Sequence, residues 1–100
     1  MRKIILLCSA GMSSSFLVNK MKEAADKQNY ECIIEAYSIG WADSCAKDAD
    51  IILLGPQVRF TKENIERICP GVTVIDIKME EYGSLNGEAV LNKAKNILGD

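Results

Sequence analysis

Four short apolar runs, KIILL (3–7), CIIEAYSI (32–39), ADIILLG (49–55) and VTVIDI (72–77), are set apart by segments of helical periodicity. Runs this short read as strands; KIILL has the Ile- and Leu-rich composition of a strand covered on both faces, and ADIILLG reads as a third, buried strand. After the first run, Leu17, Met21, Ala24 and Ala25 recur at i, i+4, i+7 and i+8, with Asn19, Lys20, Lys22, Glu23, Asp26 and Lys27 opposite them. That spacing predicts one amphipathic helix from Ser13. A short helix is expected over Trp41 to Lys47, and Gly55-Pro56 stops the third strand. The next helix has Thr61 as N-cap, Glu63 in its first turn, and Phe60 and Ile65 spaced as a hydrophobic staple; Pro70-Gly71 ends it. Val90, Leu91, Ala94, Ile97 and Leu98 form the apolar face of a last helix, begun near Asn86.

Strand and helix therefore alternate throughout, with no linker, low-complexity stretch or repeat, so residues 1–100 are one domain. Right-handed crossovers between parallel strands produce an open four-stranded parallel sheet with helices on both faces. The order 2-1-3-4 puts the most apolar strands, the first and third, in the middle. Ligands bind such sheets at the carboxyl ends of the strands, beside the point where the strand order reverses. Cys8, the end of the first strand, falls there.

The chain carries 12 basic and 14 acidic residues with no basic stripe, which argues against nucleic acid as a partner. No apolar run is long enough to span a bilayer, and the apolar part of MRKIILLCSAG is too short for a signal peptide, so a cytoplasmic protein is expected. The other cysteines, Cys32, Cys45 and Cys69, have neither metal-site spacing nor a histidine partner, since the chain contains no histidine. They read as small buried hydrophobes, with no metal and no cofactor expected.

Between the first strand and its helix lie Ser9, Ala10, Gly11, Met12, Ser13, Ser14 and Ser15, uncharged and mostly small. Unpaired N–H groups at a helix N-terminus, with a glycine to let the chain curl, make a nest of donors around one anion. Serine hydroxyls add donors to such a nest or cap the helix. The same environment favours a thiolate at Cys8. One glycine is too few for a dinucleotide fingerprint, and no lysine occurs between 8 and 19 for a nucleotide P-loop. Hydrolase triads need a base, most often histidine, and a thioredoxin-like motif needs a cysteine where Gly11 stands. A thiolate held by backbone amides, able to take a phosphoryl group, remains.

CSAGMSSS between strand and helix, ADIILLGPQVR after the second unit and YGSLNGEAVLNKAK near the end together resemble the IIB component, lactose/cellobiose type, of the bacterial sugar phosphotransferase system. The resemblance covers the whole chain. It implies a phosphotransferase acting as a phosphoryl carrier. Cys8 would accept the group from a phosphohistidine on a IIA protein and pass it to a sugar held by the membrane IIC transporter. It implies that the loop Ser9 to Ser15 binds the phosphate, and that cellobiose, chitobiose or another β-glucoside is the sugar. A monomer is expected, docking transiently at the inner face of the membrane. The missing histidine fits, because the partner supplies it.

The expected fold and loop are also similar to those of low-molecular-weight tyrosine phosphatases, whose signature is Cys-x5-Arg. Here the sixth residue after Cys8 is Ser14. Without an arginine to grip the transferring phosphoryl group, hydrolysis should be slow, which suits a carrier. A phosphatase-like hydrolase and a non-enzymatic cysteine or anion sensor are the alternatives. Gln57, Arg59 and Tyr82 are candidates for a second layer around the site, while Trp41 and Met12 read as core residues in preference to docking anchors.

Overall fold

The computed structural model describes residues 1–9 and 11–100, with Gly11, Met12 and Ser13 described by backbone alone. Strands β1 (Arg2–Cys8), β2 (Cys32–Ser38), β3 (Ile51–Leu54) and β4 (Thr73–Asp76) form one parallel sheet in the order β2-β1-β3-β4. Helices α1 (Gly11–Lys27), α2 (Ala42–Cys45), α3 (Lys62–Ile68), α4 (Met79–Gly83) and α5 (Gly87–Leu98) connect or follow the strands. Ile4 to Leu7 in β1 and Ile51 to Leu54 in β3 are fully buried, because both strands are central and covered on both sides.

Alternation along each strand divides the core in two. Ile4, Leu6, Ile51 and Leu53 join Leu17, Met21, Val90, Leu91 and Ala94 under α1 and α5. Ile5, Leu7, Ile52 and Leu54 join Ala42, Val58, Ile65 and Cys69 under α2 and α3. Cys8 shares the parity of Ile4 and Leu6, so its side chain belongs to the α1 side of the sheet.

Local departures from expectation have local causes. Helix α1 begins at Gly11, earlier than the expected Ser13, which places Ser13, Ser14 and Ser15 inside the helix. Thr61 does not cap α3: its Oγ1 donates to Val58 O at 2.6 Å, at the end of a six-residue 3-10 segment over Pro56–Thr61. Phe60 is 83% exposed and forms no staple with buried Ile65. Trp41 is 63% exposed and is not a core residue, because it ends a tight 3-10 turn at Ile39–Trp41 beyond the edge strand β2. Among the three cysteines expected to be buried, only Cys69 is; Cys32 on the edge strand and Cys45 at the end of α2 are partly exposed. Helix α4 was not anticipated, since five residues hold too little periodicity to be read. The last helix begins where expected, next to Asn86, whose side chain accepts from Ala89 N at 3.1 Å and caps α5.

Candidate active site

Cys8 ends β1 in the middle of the sheet, paired with Ser38 at the end of β2. Gly55 N bonds Leu7 O at 2.8 Å and Ile77 N bonds Leu54 O at 2.8 Å, so the rim runs Ser38, Cys8, Gly55, Ile77. Strand order reverses between β1 and β3, and the helix following β1 starts three residues after Cys8. The cysteine thus faces the start of a 17-residue helix whose first N–H groups have no intrahelical acceptors.

Ser14 completes the geometry. Its side chain is fully buried, and its Oγ lies 2.7 Å from the sulfur of Cys8, itself 1% exposed. As the fourth residue of α1, Ser14 is too far inside to be the N-cap. At the position where a phosphatase has arginine, this chain has a buried serine turned toward the cysteine sulfur.

Comparison with known proteins decides the family. The model for "PTS system, Lactose/Cellobiose specific IIB subunit" matches residues 3–93. The galactose-specific EIIB component of Lactococcus lactis subsp. cremoris is 38% identical over 95% of this chain and 94% of its own length. The oligo-beta-mannoside-specific EIIB component of Bacillus subtilis is 36% identical over 98% and 97%. The solution structure of the cellobiose-specific IIB component from Borrelia burgdorferi superposes with a TM-score of 0.80 at 36% identity, covering 98% of this chain and 92% of that one. The chain belongs to the lactose/cellobiose-specific IIB family.

As a PTS IIB component it is a phosphotransferase serving the movement of phosphoryl groups to sugars. Its remaining site candidates are placed as follows. Ser9 is exposed on the bend after β1. Ala10 lies outside the described residues, as do the side chains of Gly11, Met12 and Ser13, so the roles expected of them are not seen here. Ser15 is exposed and borders a shallow groove between α1 and β2, with Val18, Asn19 and Ala36.

Gln57 is exposed, and its amide and Cys8 both border Gly55: a Cβ placed on that glycine would lie 3.2 Å from Gln57 Oε1 and 3.4 Å from Cys8 Cβ. Arg59, one turn on, is exposed and makes no ion pair among the described residues. Tyr82 is a core residue of the α1–α5 side, not a surface group. Burial pushes the thiols of Cys32, Cys45 and Cys69 up, which keeps all three protonated at neutral pH. Among the described residues no group of His, Cys, Asp and Glu could hold a metal ion, and no helix is long and apolar enough to cross a membrane.

Sequence reasoning missed the Cys8–Ser14 contact, because the direction of the Ser14 side chain depends on where α1 begins. Five residues lie between them, enough for the chain to leave the strand and bring Ser14 back over the strand end.

Proposed function

We propose that this IIB component is a phosphoryl carrier whose acceptor is Cys8. The thiolate attacks the phosphorus of a phosphohistidine on a IIA protein. The S–P bond forms as the N–P bond breaks, with its electron pair returning to the imidazole. A sugar hydroxyl on the IIC transporter then attacks the phosphorus, and the S–P pair returns to sulfur. The sugar is cellobiose, chitobiose or another β-glucoside, and its selection rests with the transporter, since relatives 38% and 36% identical to this chain are named for galactose and for an oligo-beta-mannoside. The protein works in the cytoplasm and meets the membrane only at the transporter.

The observation that carries this reading is the position of Cys8: a nucleophile at the strand-order reversal, before the N-terminus of α1. Its neighbours support it. The start of α1 at Gly11 offers backbone donors of the kind that bind phosphate, and we assign the phosphate to the segment Ser9 to Ser15, with Gln57 as a further donor. The site holds a buried serine where a phosphatase would need arginine, so water is given little help.

Docking is supported by the surface. Phe16, Trp41, Phe60 and Met79 are all exposed, and each lies on the segment following a different strand's carboxyl end. Large apolar side chains collected at one rim mark a contact face. The test uses membrane vesicles bearing the transporter, together with phosphorylated IIA protein. The chain should support formation of sugar phosphate, and Cys8→Ala should support none; activity persisting in Cys8→Ala would refute the carrier reading.

A further inference from the structure

We propose that Cys45 and Cys69 are a redox pair, which a hydroperoxide joins in a disulfide between α2 and the end of α3. The inference is independent of the carrier reading, because neither residue belongs to the site around Cys8. Both pack on the α2 and α3 side of the sheet, whereas Cys8 has the parity of the α1 side.

Two elements distant in sequence bring the thiols to one place. Cys69 follows the last turn of α3, where its N–H bonds Ile65 O at 2.8 Å, and its side chain is buried. Its thiol donates to Ala42 O at 3.8 Å. The same carbonyl accepts Ala46 N at 3.2 Å, closing the single turn that is α2. Cys45 is the last residue of that turn, three positions after Ala42. Residues at i and i+3 of a helix lie side by side, with Cβ atoms about 5–6 Å apart. Ala42 is buried in the cluster that contains Cys69, and Cys45 packs against that cluster while remaining partly exposed. One thiol is therefore open to a small oxidant, and the other lies behind it.

The reaction is a two-electron oxidation. The Cys45 thiolate attacks one peroxide oxygen, and the O–O bond breaks with its electron pair on the other oxygen, which takes up the proton that Cys45 lost. Cys45 is left as a sulfenic acid. The Cys69 sulfur then attacks the Cys45 sulfur, and the S–S bond forms as the S–O bond breaks. Hydroxide leaves as water with the proton of the Cys69 thiol. The two sulfurs lose two electrons and the peroxide gains them; a dithiol reductant reverses the bridge by exchange. The bridge closes the segment holding β3 and α3 into a covalent loop.

The surroundings set the rate. Burial is the chief cause of the raised Cys45 thiol; negative charge on Cys69 and on Asp43 adds to it, and Lys3 opposes it. Burial likewise raises Cys69, with Lys47 opposing and Asp43 adding. Only the thiolate attacks peroxide, so the pair responds slowly at neutral pH and faster as pH rises.

In the experiment the chain is treated with hydrogen peroxide at pH 7 and pH 9, free thiols are blocked, and the products are mapped by mass without reduction. Cleavage at Glu35 separates Cys32 from Cys45, and cleavage at Arg67 and Lys78 releases the peptide of Cys69. The expected product is a bridge within one chain from Cys45 to Cys69, formed at least about tenfold faster at pH 9 and removed by dithiothreitol. Cys45 is partly exposed, so Cys45→Ser should fold. In that variant oxidation of Cys69 should slow by about tenfold or more, because the buried sulfur has lost the neighbour that presents it with an oxidised partner. Cys69→Ala should stop at a sulfenic acid on Cys45, which dimedone traps. Bridges from Cys45 to Cys8 or Cys32 in its place, or bridges only between two copies, would overturn the proposal. So would Cys45 and Cys69 both free once Cys8 is oxidised, or Cys69 oxidised at the wild-type rate in Cys45→Ser.

Discussion

The sulfur of Cys8 and the hydroxyl of Ser14, six residues apart along the chain, meet at 2.7 Å in a buried contact. The meeting requires β1 to end in the middle of the sheet and α1 to return over that end. The position that a phosphatase loop gives to arginine is held here by a buried serine turned toward that sulfur.

Docking should depend on the exposed rim. Trp41→Ser and Phe60→Ser should each lower kcat/KM for transfer from IIA protein by about tenfold, as losing an aromatic anchor costs in small interfaces. Both side chains are mostly exposed, so melting temperatures should stay near wild type. Stopped-flow transfer assays with calorimetry check both. Transfer at the wild-type rate in the double variant would remove this rim from the interface.

The complex itself should be short-lived, because a carrier must leave the donor before it meets the transporter. A buried area at or below about 1,200 Å² is expected. Gel filtration at micromolar concentration should separate the two proteins; co-elution would contradict transient docking.

Gly55 tests the approach of Gln57 to the cysteine. Its φ of −59° suits alanine, so Gly55→Ala should leave stability unchanged or raise it by up to about 1 kcal/mol. The added methyl would press on Gln57 Oε1, 3.2 Å away, and shift the amide. Transfer should slow by about tenfold, as small misplacements at a reacting centre do. A wild-type rate would mean that Gln57 does not touch the phosphoryl group.

Gly87 is a structural counterpart. A Cβ there would come within 2.6 Å of the Lys20 side chain and closer still to the backbone of Lys20 and Met21, so α5 could not rest on α1. Gly87→Ala should cost about 1–3 kcal/mol by overpacking, which lowers the melting temperature by several degrees in a domain this size. Thermal unfolding by circular dichroism measures it.

Stability should fall at both ends of the pH scale for identifiable reasons. The bond from Arg2, and then that from Tyr30, hold the Asp100 carboxyl below the ordinary carboxylate range, as the bond from Lys3 does for Asp48. Folded carboxylates with lowered values bind protons less readily than unfolded ones, so their stabilisation is present above about pH 4 and is lost as acid protonates them. The raised thiols of Cys32, Cys45 and Cys69 act in the opposite sense. Their contribution is present at neutral pH and is lost as pH rises past about 8.5. Asp100→Asn should give a slightly lower melting temperature at pH 7 and the wild-type value near pH 2, checked by melting across pH.

Much of this was legible in the residues. Ile and Leu runs covered on both faces could only be central strands, and the order β2-β1-β3-β4 followed from crossover handedness and apolarity. Cys8 was recognisable because it closes the first such run. Side-chain direction was not legible. Thr61 has the chemistry of an N-cap, yet Pro56 starts a tight turn in which the nearer acceptor is Val58 O. Trp41 looked like core by its size, but its turn ends outside the edge strand. Ser14 gave no sign of facing sulfur until the start of α1 was fixed at Gly11.

The central claim is that Cys8 alone carries the phosphoryl group between donor and sugar. Its most direct test is to incubate the chain with IIA protein bearing labelled phosphohistidine, then map the label by mass spectrometry under conditions that preserve thiophosphate esters. The account predicts one labelled position, Cys8, discharged when transporter vesicles and sugar are added, and no transferable label on Cys8→Ser. Label on Ser9, Ser13, Ser14 or Ser15 in the wild-type chain, or sugar phosphate formed through Cys8→Ser, would contradict it.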